Sequence, residues 1–291
     1  MGDVCKSLPT LHALADAGFQ LHLVVRRPLD DMVAGLGWPV TTVGDGILGP
    51  ARALRQIDCD RALLLTTSFG TAAAARLAGI RAVGFRGDYR GMLLYRAVDY
   101  PVGEHEVASL WRLGRAAQEL FEPALGWPES MAERMELPLT ADHHEAAERA
   151  LSAAGLEDAF TVLCPMAVGT RAGHSKVWPY WSAASRRLVD LGHRLVVCPG
   201  PGEEEASAAL VPEAAMLSGV GLGAYAAICS RARQVLANDS GPLFMAAAVG
   251  APVIGVYGTA VRPEVRPLGA DFIGSDDGWP SVEDVLARLT A

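Results

Sequence analysis

Short apolar runs of β-forming residues alternate along this chain with longer stretches rich in Ala, Leu, Arg and Glu, and this alternation constrains the fold more than any other feature. The runs are Phe19–Val25, Pro39–Val43, Arg61–Thr66, Arg81–Phe85, Thr161–Cys164, His193–Cys198, Gln234–Ala237 and Pro252–Tyr257. Between them, Ser7–Ala17, Phe69–Ala78 and Ser182–Leu191 each stop at a glycine (Gly18, Gly79, Gly192), the residue that closes a helix most readily. Nearly continuous apolar strands joined through helices predict parallel sheets covered on both faces, the α/β class.

A region with no strand pattern separates the two sets of runs. It goes from a helical stretch near Val107–Phe121, through the proline-bearing segment Glu122–Pro138, to another helix near Asp142–Ala154. At roughly 150 residues per domain, a boundary there predicts two Rossmann-like domains, 1–138 and 139–291, with their sheets facing a central cleft. The final helix, Val282–Leu289, fits either of them. Met1-Gly2-Asp3 leads directly into a helix, whereas a doubly wound domain begins with a central strand. The first strand of the N-terminal domain is therefore expected to be absent from this chain, or its absence tolerated.

The 25 Lys and Arg against 33 Asp and Glu give a net charge of −8, which argues against nucleic acid as a partner. The imbalance sits in residues 101–291, with 14 basic and 24 acidic side chains, while residues 1–100 hold 11 and 9. The two halves are thus expected to face different partners. Cys5, Cys59, Cys164, Cys198 and Cys229 show no CxxC spacing and mostly lie in apolar runs, the pattern of a reduced cytoplasmic protein. The longest nearly apolar stretch, Leu243–Tyr257, is interrupted by Gly250 and Pro252 and falls short of the roughly 20 residues of a spanning helix. No signal-peptide pattern opens the chain. The signatures GxxxxGK[ST], GxSxG and HExxH are absent, no GxGxxG is expected to follow a strand, and His143 and His144 read as surface residues of a polar helix, so no metal site and no cofactor is expected.

Three segments just beyond predicted strands carry groups suited to an anionic ligand. In Asn238-Asp239-Ser240-Gly241-Pro242, Asp239 or Ser240 suits the N-cap of a helix whose start would bind anions, although such caps also occur with no ligand at all. The loop Met166–Lys176 offers Gly169, Thr170, Gly173 and Lys176, the glycine amides, hydroxyl and cation that a diphosphate requires. Lys6 and Lys176 are the only lysines beside 23 Arg, so a lysine here hints at a need for a compact charge. Beyond His193–Cys198, Glu203, Glu204 and Glu205 offer a carboxylate for ribose hydroxyls, or simply favour a helix start.

Together these segments resemble glycosyltransferase family 9, the ADP-heptose:lipopolysaccharide heptosyltransferases. The matching pieces are Met1-Gly2-Asp3-Val4 with Leu8-Pro9, Lys176-Val177-Trp178-Pro179, Gly200-Pro201-Gly202 with the three glutamates, and Asn238–Ala248 continuing through Gly250–Val253 to Tyr257-Gly258-Thr259. The order and spacing hold over most of the chain. At Phe244 the chain departs from the histidine usual in the family.

The resemblance implies a GT-B fold with an N-terminal acceptor domain, a C-terminal nucleotide-sugar domain, and inverting, metal-independent transfer from an ADP-sugar. By position, Asp3 looks like the general base. Thr170 and Lys176 look like diphosphate ligands, Glu203 like the ribose contact, and Asp239, Ser240 and Gly241 like the donor-binding helix start. Arg86 and Arg90, two of five arginines between Arg76 and Arg96 with only Asp88 as an acid among them, suit an anionic lipid-linked saccharide acceptor at the inner membrane surface, or are ordinary solvated side chains. A nucleotide-sugar-binding protein without turnover is the alternative, and a GT-B epimerase ranks behind both.

Overall fold

A computed structural model describes residues 1–87, 89–171, 173–258, 263–274 and 278–290. Asp88 and Thr259, which belong to the patterns above, lie outside the described residues. In chain order the elements are α1 (Gly2–Asp16), β1 (Leu23–Val25), α2 (Leu29–Val33), β2 (Val40–Thr42), α3 (Leu48–Leu54), β3 (Arg61–Leu64), α4 (Phe69–Ala78), β4 (Arg81–Phe85), β5 (Arg96–Val98) and α5 (Glu106–Phe121). They continue with α6 (Ala141–Ala153), β6 (Thr161–Cys164), β7 (Thr170–Arg171), β8 (His174–Ser175), α7 (Trp181–Asp190), β9 (Leu195–Val197), α8 (Glu204–Leu210) and β10 (Ala215–Met216). The last are α9 (Leu222–Arg231), β11 (Gln234–Asn238), α10 (Gly241–Ala248), β12 (Val253–Val256), β13 (Asp271–Ile273) and α11 (Val282–Thr290).

Contacts divide the chain into two compact units. The first consists of Lys6–Asp30 and Gly37–Glu133, the second of Met1–Cys5, Asp31–Leu36 and everything from Arg134 onward. The division crosses α1, where Pro9 lacks the N–H that would reach back to the carbonyl of Cys5.

In the first unit β1 pairs with β2, and β3, β4 and β5 form a separate sheet; both are parallel. Alternation along β4 sends Val83 and Phe85 to one face, where they pack on Leu110, Leu113 and Ala117 of α5. Ala82 faces the other way, toward Ala75 of α4 and Leu94. Gly114 lets α1 cross α5 closely, since a Cβ there would meet Thr10 Cγ2 at 2.4 Å.

The second unit is built on one six-stranded parallel sheet in the order β10-β9-β6-β11-β12-β13. Successive strands step outward from β6 in one direction and from β11 in the other, so the order reverses between these two. The crevice beyond the carboxyl ends at such a reversal is where ligands bind in open α/β sheets. Leu163, Leu236, Ile254 and Val256 pack on one face against Trp181 and Leu188 of α7 and Val285 and Leu286 of α11, which assigns the final helix to this unit. On the opposite face Gly255 approaches Leu243 of α10, where a Cβ would lie 3.0 Å from Cδ2.

Two early segments complete the second unit. Asp31 Oδ2 accepts the N–H of Gly223 at 2.8 Å, giving the first turn of α9 an acceptor that its own sequence lacks. Gly35 lies so close to the carbonyl of Pro138 that a Cβ would be 1.9 Å from its oxygen.

His143 is not a surface residue: it is 5% exposed. Its Nδ1 accepts the N–H of Thr140 while Thr140 Oγ1 accepts the N–H of His143, a reciprocal cap that turns the ring inward over Gly223. His144 is exposed, as expected. Four pieces of strand not anticipated from sequence appear, β5, β10, β13 and the β7–β8 hairpin, and Phe19–Val25 contributes only Leu23–Val25. None of the five cysteines is disulfide-bonded, and Cys59 is exposed.

Candidate active site

The loop after β6 and the start of α10 after β11 meet at the strand-order reversal of the second unit. Their meeting is organised by Asn238, which is fully buried at the end of β11. Its Oδ1 accepts the backbone N–H of Trp178 at 3.0 Å and Nε1–H of Trp181 at 3.2 Å, and its Nδ2 donates to the carbonyl of Pro165. One amide therefore joins the exit of β6, the entry to α7 and the end of β11. Trp178 is also fully buried, stacks edge-on to Trp181 and donates its Nε1–H to Pro280 O at 3.0 Å.

Lys176 lies two residues before this anchor, and Asp239 directly follows Asn238. The result is an ion pair, Lys176 Nζ to Asp239 Oδ2 at 3.5 Å, with the side chains 20% and 10% exposed. Thr170 sits across from Ser175 in the β7–β8 hairpin, so the predicted diphosphate loop is a hairpin that returns to Lys176.

Ser240 is the N-cap of α10, yet its hydroxyl caps no helix amide and instead donates back to Asn238 O at 3.2 Å. Ser240 thus leaves the first-turn amides of α10 uncapped by its own hydroxyl, the arrangement an anion-binding helix start can use. Glu203 precedes α8, and its Oε2 accepts the N–H of Gly200 at 3.0 Å, bracing the turn Pro199–Gly202.

Asp3 is exposed in the first turn of α1 and belongs to the same unit as Lys176 and Asp239. Met1 and Gly2 rest on the start of α10. A Cβ on Gly241 would touch Met1 at 3.1 Å, and one on Gly2 would touch the buried ring of Phe244 at 3.4 Å. Below the loop, Cys164 Sγ lies 2.9 Å from Tyr225 Oη, and burial pushes the Cys164 thiol up to about 12. A thiolate nucleophile is therefore not available there near neutral pH.

Arg86 and Arg90 belong to the first unit. Arg86 is exposed, with Nε donating to Asp99 Oδ1 at 2.7 Å. Arg90 is fully buried, with Nη1 on the carbonyl of Thr66 at 2.5 Å.

Among the described residues no group of three His, Cys, Asp or Glu side chains is arranged to hold a metal ion. The described helices include none long and apolar enough to cross a membrane. Contrary to the expectation that no GxGxxG follows a strand, the run Gly44-Asp45-Gly46-Ile47-Leu48-Gly49 follows β2 with the glycine spacing of a dinucleotide fingerprint. It opens onto the seven-residue α3, and a Cβ on Gly49 would meet nothing within 4 Å. The close helix–strand packing that requires the third glycine is therefore missing.

Residues 48–276 match the model of glycosyltransferase family 9 (heptosyltransferase). The chain belongs to that family. Lipopolysaccharide heptosyltransferase 2 of Escherichia coli (strain K12) is 29% identical to this family 9 chain over 236 residues, 74% of this chain and 64% of the relative. The match thus spans less than two thirds of that relative's length. Among solved structures, a family 9 glycosyl transferase from Veillonella parvula DSM 2008 superposes with a TM-score of 0.77 at 17% identity, covering 95% of this chain and 83% of that one. The E. coli heptosyltransferase WaaC with ADP-2-deoxy-2-fluoro heptose gives 0.74 at 18% identity, covering 99% and 96%. These likenesses assign the family 9 chain to the GT-B fold of two Rossmann-like units.

Proposed function

We propose that this protein transfers a heptose, or a closely related sugar, from an ADP-sugar to the core of a lipopolysaccharide or a similar anionic lipid-linked saccharide, with inversion and without a metal ion. The observation that carries the reading is the assembly, in one unit and at the strand-order reversal, of a helix start that Ser240 does not cap, the Lys176–Asp239 pair and the first turn bearing Asp3. The family and the sugar-nucleotide bound to its E. coli relative support a heptose donor on ADP.

In this reading the donor diphosphate lies against the start of α10, the hairpin hydroxyl of Thr170 and the ammonium of Lys176. These groups stabilise negative charge as the bond from the anomeric carbon to the diphosphate oxygen breaks. Asp239 holds the ammonium in place. Glu203 and the turn it braces form the ribose end. Asp3 takes the proton from the acceptor hydroxyl as that oxygen bonds to the anomeric carbon on the face opposite the departing ADP. Lys176 and the helix start supply the positive charge that a divalent cation supplies elsewhere. Arg86 serves the anionic acceptor, whereas Arg90, expected from sequence to do the same, is fully buried on Thr66 O and holds the turn instead.

The test incubates the protein with ADP-heptose and deacylated lipopolysaccharide core in excess EDTA and follows the oligosaccharide by mass spectrometry. A single added heptose is expected, and ADP should raise the melting temperature more than UDP or GDP does at equal concentration. Loss of transfer in EDTA overturns metal independence, and a preference for UDP overturns the donor. ADP binding without transfer to any saccharide leaves a nucleotide-sugar-binding protein.

A further inference from the structure

We infer that Tyr89, which opens the 3-10 turn Arg90–Leu93 between β4 and β5, is a stacking platform for a sugar ring of the acceptor. The inference rests on the acceptor being a saccharide, as proposed above, and names a residue of this unit that would contact it.

Tyr89 has φ 60 and ψ 0, and among the described residues it is the only non-glycine with positive φ. A bulky side chain is strained in this left-handed conformation, and such outliers persist where function requires them. Packing does not account for it, because Tyr89 is 86% exposed. The fold therefore bears backbone strain to hold an aromatic ring in solvent.

The next residue adds a second cost. Arg90 is fully buried, only its Nη1 is satisfied, by Thr66 O, and Nε and Nη2 are buried with no hydrogen-bond partner. Burial lowers its pKa. Gly84 makes the room, since a Cβ there would lie 3.1 Å from Nη2. A buried, half-satisfied guanidinium is weak evidence for stability, but it bolts the turn to the end of β3.

On the far side, Gly91 lies over the stem of Arg86, where a Cβ would sit 3.4 Å from Cγ, and Arg86 is held by Asp99. The carboxyl end of β4 thus carries an exposed ring on a strained backbone and an exposed Arg–Asp pair. A pyranose needs this combination: an aromatic face for its C–H surface, and a fork of donors beside a carboxylate for its hydroxyls. A free phosphate would use the arginine and leave the ring idle.

Three variants, Tyr89→Gly, Tyr89→Ala and Tyr89→Phe, test the inference. The probe is deacylated lipopolysaccharide core oligosaccharide, with binding measured by calorimetry alongside ADP affinity and thermal melting. Tyr89→Gly should melt at or above the temperature of the parent, because glycine relieves the strain, and should bind ADP as the parent does. It should bind the oligosaccharide about tenfold more weakly, as should Tyr89→Ala, while Tyr89→Phe stays close to the parent. Unchanged oligosaccharide affinity in Tyr89→Gly overturns the inference and leaves the proposed activity standing. A parent protein that binds ADP but no oligosaccharide overturns the inference together with the saccharide acceptor. A loss seen only with phosphatidylglycerol vesicles carrying intact lipopolysaccharide also overturns it, by assigning the ring to the bilayer.

Discussion

The backbone of Gly2 rests on the ring of Phe244, so that a Cβ added to Gly2 would lie 3.4 Å from Cδ2. The ring is 5% exposed and sits one turn into α10. The residue after Gly2 is Asp3, so the proposed base is seated on the helix whose start is proposed to hold the diphosphate. A histidine or leucine in place of Phe244 would change the surface beneath that base without removing a ligand of the donor.

Asp3→Asn should therefore lower kcat by about 10²–10⁴-fold, the usual contribution of a general base, with ADP affinity retained. Steady-state transfer assays beside calorimetry with ADP separate the two effects. A variant with full kcat would leave the reaction without its base.

Lys176→Ala should weaken ADP binding by roughly 1.5–3 kcal/mol, the range of a charge-assisted hydrogen bond. Lys176→Arg should recover only part of this. The ammonium sits 3.5 Å from Asp239 in a mostly buried position, and the guanidinium fork is wider and directional. Calorimetry at two ionic strengths checks both statements, and an unchanged Kd in Lys176→Ala would remove the residue from the site.

Asn238→Leu should cost roughly 3–5 kcal/mol of stability, because it leaves the Trp178 amide, the Trp181 indole N–H and the Pro165 carbonyl buried without their partner. Asn238→Asp keeps the acceptor but sets a carboxylate oxygen against that carbonyl, so it should also destabilise. Urea denaturation measures the loss, and ADP affinity should fall with it, since the same amide fixes the segments carrying Lys176 and Asp239.

His193 predicts a pH dependence. Its pKa is lowered, first by burial and then by the charge of Arg233, and its Nδ1 lies 3.0 Å from Thr161 Oγ1. The unfolded chain then binds the proton more readily than the folded one. This contribution is fully present above the ordinary histidine value of 6.5 and is lost as pH falls from there through the depressed folded value. Urea midpoints at about pH 7.5 and about pH 5.5 should differ less in His193→Gln than in the parent; an equal difference would assign the effect to other groups.

The parts legible in the sequence were those with local causes. The interior strands β4, β6, β11 and β12 are continuous apolar runs, and Gly79 ends α4 in the left-handed conformation that its position suggested. Besides the two-residue strands of the β7–β8 hairpin, the unanticipated strands β5, β10 and β13 all lie at sheet edges and have three residues or fewer. Pairing with a neighbour makes them strands, and no apolar run marks them. The ion pair of Lys176 with Asp239 joins two segments that were each readable as an anion loop after a strand. Asn238 is visible in its motif, but its anchoring role is not, because its partners lie 57 to 73 residues away in sequence. His143 misled for a related reason: the capping spacing from Thr140 was readable, but Gly223, which makes room for the ring, was not.

The second unit is assembled from three separated pieces, and this sets an order on its synthesis. Met1–Cys5 and Asp31–Leu36 leave the ribosome well before Gly223, Gly241 and Phe244, the residues they pack against. At about 5–20 residues per second, that interval is on the order of ten seconds or more. Until then the segment around Asp31 has only its earlier partners, Pro138 and His143, and the first turn of α1 lacks the helix it rests on, so the proposed base settles beside the donor helix only after α10 has been made.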